Sequence, residues 1–180
     1  MIVFGFAETV TFAIAGDGLH RPAAFVGIMV AVQGIGALAG GLTAARLIRR
    51  HGELRVMALG LLLAAAGFVL ELPPILATVL GGEILVGAGL PWLVVALISL
   101  AQRLTPADVQ GRVFAAAETL ITTPQTIAIA LGAALIGATG YRPLLIAMAL
   151  GVTLAASYLL TRSRDPEALE PVRARQDNPR

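Results

Sequence analysis

The stretch PAAFVGIMVAVQGIGALAGGLTAARLIRRHG, residues 22–52, decides the fold. From Pro22 to Ala45 it runs 24 residues without a charged side chain, and Arg46, Arg49, Arg50 and Arg55 then follow within ten positions. At ~1.5 Å per residue such a run rises ~36 Å as a helix, enough to cross a hydrocarbon core ~30 Å thick. The Arg cluster behind it is what a joint on the cytoplasmic side of a membrane carries. Glycines are scattered through the run with no alternation of period two, so it reads as a spanning helix and not as a barrel strand.

The same pattern recurs on both sides. Apolar runs cover Ile2–Gly16, Pro22–Ala45, Val56–Leu72, Ile75–Ala101, Val113–Thr139 and Leu144–Thr161, which together hold 128 of the 180 residues. Prolines stand at the breaks: Pro22 opens the second run, Pro73-Pro74 divides the third from the fourth, and Pro143 opens the sixth, each where a missing amide costs little. Thr105-Pro106-Ala107-Asp108 has the form of a capping box with proline at the first helical position, which predicts a helix start there. The expected fold is therefore an all-α membrane domain of six transmembrane helices over residues 1–161, followed by a disordered cytoplasmic tail over 162–180.

Orientation follows from the arginines. The joints after the second and fourth runs and the tail hold 11 of the 13 Arg, and the alternate joints hold Arg21 and Arg142. The positive-inside rule then puts both termini in the cytoplasm of a multi-pass protein of the cell membrane, the inner or plasma membrane. The first run is short for a span. Cleavage of a signal peptide at Ala13-Ile14-Ala15 would need a basic n-region that is missing and would have to tolerate Glu8. A helix whose natural start has been cut away fits better.

Composition removes most chemistry. Apolar residues make up 57% and charged residues 13%, and there is neither Cys nor Lys, so disulfides, thiolate metal sites and Schiff bases are excluded. His20 and His51 are far apart and each stands near an Arg, which predicts no metal site. No P-loop, dinucleotide fingerprint or Ser/His/acid set occurs, so neither an enzyme nor a cofactor is expected. The cations segregate by membrane side instead of forming one basic face, which argues against nucleic acid as a partner.

Two stretches carry a resemblance. Gly34-Ile35-Gly36-Ala37-Leu38-Ala39-Gly40-Gly41 leading into Arg46-Leu47-Ile48-Arg49-Arg50-His51-Gly52, and Gln102-Arg103-Leu104-Thr105-Pro106-Ala107-Asp108-Val109-Gln110-Gly111-Arg112-Val113-Phe114-Ala115, resemble the C-terminal half of a major facilitator superfamily transporter. The nearest likeness is to bacterial twelve-helix drug and macrolide efflux proteins, over about residues 1–162. The resemblance implies two inverted three-helix repeats, with the first and fourth helices lining a central cavity, the second and fifth meeting the other half, and the third and sixth facing lipid. The third and sixth runs carry no charged or amide side chain from Val56 to Leu70 or from Leu144 to Leu160. In the family an Asp precedes the first Arg of the loop motif, and here that position is Ala45, so no gating ion pair can start from it.

The same likeness gives individual residues their expected roles. Glu8 and Glu83 lie inside apolar runs, where an ionised side chain costs ~2.5–3.5 kcal/mol on insertion scales. They are candidates for proton coupling or for binding a cationic substrate, with Gln33, Trp92 and Gln125 as further candidates. A carboxyl satisfied within the bundle is the alternative for both acids, and packing is the alternative for Trp92. Arg46, Arg49, Arg50, Arg103, Arg112 and Glu118 are candidates for a cytoplasmic gate, with Glu118 either paired to an Arg of the 46–55 joint or a hydrated surface acid; topology alone also accounts for the arginines. Gly36, Gly40 and Gly41 form a small-residue face for close packing, expected against the missing half or the fifth helix.

The resulting expectation is half of a proton-coupled exporter of drugs or small amphipathic solutes, working by alternating access. Its partners would be a small-molecule substrate, protons and membrane lipid, together with an N-terminal six-helix half or a second copy of the chain. A six-helix scaffold or truncated remnant without transport of its own is the alternative. Convergence of Glu8 and Glu83 on an open groove would separate the two.

Overall fold

A computed structural model describes residues 2–106 and 109–163, and its elements are all helical. Helix α1 (Ile2–Ala13) passes into a π-helical turn (Ile14–Gly18), and a 3-10 turn (Ala23–Phe25) leads into α2 (Val26–His51). Then follow α3 (Glu53–Leu70), α4 (Leu76–Leu104), α5 (Gln110–Thr139) and α6 (Tyr141–Arg162). Five of the helices, all but α1, are long and apolar enough to cross a membrane.

The helices run further than the apolar pattern. Helix α2 continues past Ala45 through Arg46, Arg49 and Arg50, so the Arg-rich joint is mostly helix and the chain turns on Gly52 alone. Arginine is a good helix former whose stem can lie along apolar surface while its head reaches water, so the charged residues need not end the helix. Gly52 has φ +80° and Gly140, the single residue between α5 and α6, has φ +76°, backbone that a residue with a Cβ adopts only under strain.

Helix α5 begins later than the sequence predicts. Thr105 follows α4 in extended conformation and the helix begins at Gln110, whose side-chain Nε2 donates to the Thr105 carbonyl at 3.2 Å. Ala107 and Asp108 lie outside the described residues, as does the predicted tail from residue 164 onward.

Packing centres on α3, which is sandwiched between α4 and α6, while α2 lies along the other side of α4. Helix α1 packs on α5 and α6. The core runs through Val56, Ala64 and Phe68 of α3, Val79 and Val86 of α4, Leu145 and Met148 of α6, and Val10 and Ile14 beside α1. Half of α3 is buried, the largest share among the five spans, while Leu59, Ala66 and Val69 stay exposed along its remaining face. Absence of polar side chains suits a protein interior as well as a lipid face, so composition could not separate them.

The small-residue face of α2 is also placed differently. Gly36 and Gly40 press on the backbone of α4 at Ile84 and Ala88, where a Cβ on either would collide with a carbonyl oxygen, while Gly41 faces open space. The expected neighbours were α5 or another half. Hydroxyls along the helices donate to their own backbone, as Thr11 to the Ala7 carbonyl at 2.9 Å and Thr153 to that of Ala149 at 2.7 Å. Such bonds let a hydroxyl sit in an apolar setting without a lost partner.

Candidate functional site: a central cavity with two carboxyl groups

A cavity of about 450 Å³ opens between α1, α2, α4 and α5. Its walls are largely apolar, with Phe4 and Phe12 from α1, Val30 from α2 and Leu90 from α4. Four polar side chains interrupt them: Glu8, Gln33, Glu83 and Gln125. Each comes from a different helix, and all four are among the sequence's candidates for proton coupling or substrate binding. The volume lies within the ~300–1,000 Å³ of sites that take drug-sized molecules.

The two acids differ in setting. Glu8 is exposed and its Oε1 accepts from Gln125 Nε2 at 3.3 Å, joining α1 to α5. Next to it Thr9 donates to the Ile129 carbonyl at 3.2 Å, and Gly5 packs where a Cβ would meet the Gln125 carbonyl, so α1 and α5 hold Glu8 in place along one seam. Glu83 is buried on α4, 3% exposed, and no hydrogen bond or ion pair to it occurs among the described residues. An apolar cavity that presents one accessible and one secluded carboxyl can attract an amphipathic cation and can also exchange protons.

Trp92 is not part of the cavity lining. Its Nε1 donates to the Gly40 carbonyl at 3.0 Å and to Thr43 Oγ1 at 2.9 Å, pinning α4 to α2 one residue after Pro91. The indole therefore serves the helix crossing, which is the packing alternative the sequence left open. Pro124 lies inside α5, beside the cavity residue Gln125.

At the Arg-rich end, Arg103 pairs with Glu53, closing the start of α3 onto the end of α4. Arg46, Arg49, Arg50, Arg112 and Glu118 are exposed. No ion pair joins Glu118 to Arg46, Arg49, Arg50 or Arg55 among the described residues. The pairing of Glu118 with that joint is thus not made, and Arg103 finds an acid that the sequence had left as loop. No group of three or more His, Asp or Glu that could hold a metal occurs among the described residues.

The sequence reading missed Glu71. It stands at the end of α3 and reads as the first residue of the Pro73-Pro74 turn, yet its side chain is only 4% exposed. An acid so close to a proline pair looks like loop punctuation, and only the fold of α3 onto α4 turns it inward.

The major facilitator superfamily model matches residues 1–179. The chain belongs to this family. No curated protein and no solved structure matches it. It is accordingly a multi-pass α-helical membrane protein of a transporter family, and the cavity with its two carboxyl groups lies where α1 and α4 face each other.

Proposed function

We propose that this major facilitator superfamily chain works as half of a proton-coupled exporter of amphipathic, cationic small molecules. One observation carries the reading: Glu8 and Glu83 converge on a single apolar cavity wide enough for such a molecule. Glu8 supplies the accessible negative charge, the apolar walls take up the rest of the solute, and Glu83 exchanges the proton. Competition between proton and cation for the carboxyl groups then couples the two flows.

Six helices form one side of a translocation path. Helices α2 and α5 are the least buried of the five spans and expose Leu38 and Leu42 on one and Leu120 and Leu131 on the other. In this proposal a second six-helix unit, an N-terminal half or a second copy of the chain, covers them, and the two triplets of the present unit form an inverted repeat that rocks against it. The Arg-rich end faces the cytoplasm of the cell membrane.

Proteoliposomes holding the full chain, loaded with ethidium and given a pH difference, test the reading. Ethidium should accumulate on the acidic side, and Glu83→Gln should lower that rate about tenfold or more. Accumulation no greater than in protein-free liposomes, together with ethidium binding to the chain that Glu8→Gln does not weaken, overturns it. Light scattering of the detergent-solubilised chain then tells whether the active unit holds two copies.

A further inference from the structure

Glu71 does not line the central cavity, and an acidic side chain drawn into the interior of a bundle is a cost that a fold rarely carries idly. Its seat is built for it. Gly82, on α4, leaves space that the side chain shares with the backbone of α3: a Cβ there would come within 2.6 Å of Glu71 Cγ, 2.8 Å of the Gly67 carbonyl oxygen and 2.9 Å of Glu71 Oε1. The carboxyl is thus pressed against the turn of α4 that carries Glu83.

Beside it lies a second cavity of about 10 Å³. That is room for about one water, which needs two to four polar partners to be held. Glu71, Glu83, Gln33 and Thr11 border it, and the remaining lining is apolar. Among the described residues no Arg or His reaches it: α1 presents Thr11, α2 presents Gln33, and α3 and α6 present Phe68, Leu145 and Met148. Neither carboxyl has a hydrogen bond or ion pair among the described residues, so both have their oxygens available to this cavity. Glu83 borders the small cavity and the central one alike.

We infer that Glu71 and Glu83 form a proton-transfer pair, bridged by a single water, that connects the α3–α4 turn with the central cavity. The step balances. Glu71 gives its proton to the water as the water passes one of its own to the Glu83 carboxylate, so one O–H bond forms for each that breaks. Glu71, now ionised, takes a replacement from solvent at the turn. The inference rests on the transport reading only for the proton's destination; the pair and its shared proton stand apart from it.

Infrared difference spectra of the purified full chain, taken between mildly acidic and mildly alkaline buffer, test the pair directly. A protonated-carboxyl carbonyl band should titrate and move in D₂O. The losses caused by Glu71→Gln and Glu83→Gln should be non-additive, the double variant losing clearly less than the two singles together. Glu71→Asp, which draws the carboxyl back while leaving both acids in place, should shift the same band. It serves where a Gln variant does not fold. Additive losses, or a band indifferent to all three changes, overturn the pair; a band that responds to sodium at fixed pH makes it a cation site instead and also overturns it. In proteoliposomes Glu71→Gln should slow proton-driven ethidium movement about tenfold or more. Its ethidium affinity should stay near wild type, since Glu71 does not line the central cavity. Non-additive titration without ethidium transport or Glu8-dependent ethidium binding would overturn the exporter reading and leave the pair. Additive titration with transport intact would do the reverse.

Discussion

Glu8 and Gln125 meet at the cavity wall at 3.3 Å, and the accessible one of the two cavity acids is the one tied to a neighbouring helix. Its charge should decide which solutes bind. Glu8→Gln keeps the size and the link to Gln125 but removes the charge, so affinity for ethidium should fall about tenfold, equivalent to ~1.4 kcal/mol, with an uncharged dye of similar shape unaffected. Fluorescence titration in detergent checks both. Trp92 should behave in the opposite way. Trp92→Phe removes a donor to Gly40 and Thr43, which should lower stability by about 1 kcal/mol in thermal unfolding while ethidium affinity holds. Glu8, Gln33, Glu83 and Gln125 were all legible in the sequence because a polar side chain in an apolar run stands out. Glu71 was not, because its burial depends on the space above Gly82, and that is a property of two helices together.

Between helices, the α2–α4 crossing makes a sharper prediction than either element does alone. Gly40 and Gly41 are neighbours in sequence, but only Gly40 lies against the Ala88 backbone. Gly40→Ala should cost ~1–3 kcal/mol through overpacking. Gly41→Ala should leave stability unchanged or raise it slightly, because alanine is the better helix former by up to ~1 kcal/mol. Thermal unfolding of both variants in the same detergent distinguishes them. The sequence showed a small-residue face on this helix but could not say what lies on it, since a glycine pattern records how close a neighbour comes and not which neighbour it is. The same limit explains α3, whose apolar composition suits lipid and interior equally, and the start of α5, where the capping pattern was present but the helix formed from Gln110.

At the scale of the whole molecule, six helices and their order could be read from apolar runs and proline breaks, whereas their mutual packing could not, because contacts such as α2 on α4 join residues about 50 positions apart. The ion pair between Glu53 and Arg103 belongs to this level. Arg103 is 61% exposed, so Glu53→Gln should cost less than about 1 kcal/mol and leave ethidium movement unaltered. A larger loss of transport than of stability would make this pair part of the gate. The two lone-glycine joints have a mechanical consequence. With only Gly52 between α2 and α3, and only Gly140 between α5 and α6, there is no slack chain to absorb a tilt. Helix α5 is nearly all surface, while α6 inserts Leu145 and Met148 into the core. A push on the outside of α5 is therefore delivered through one residue, like a lever on a short pivot, to the side chains that wall the Glu71–Glu83 cavity.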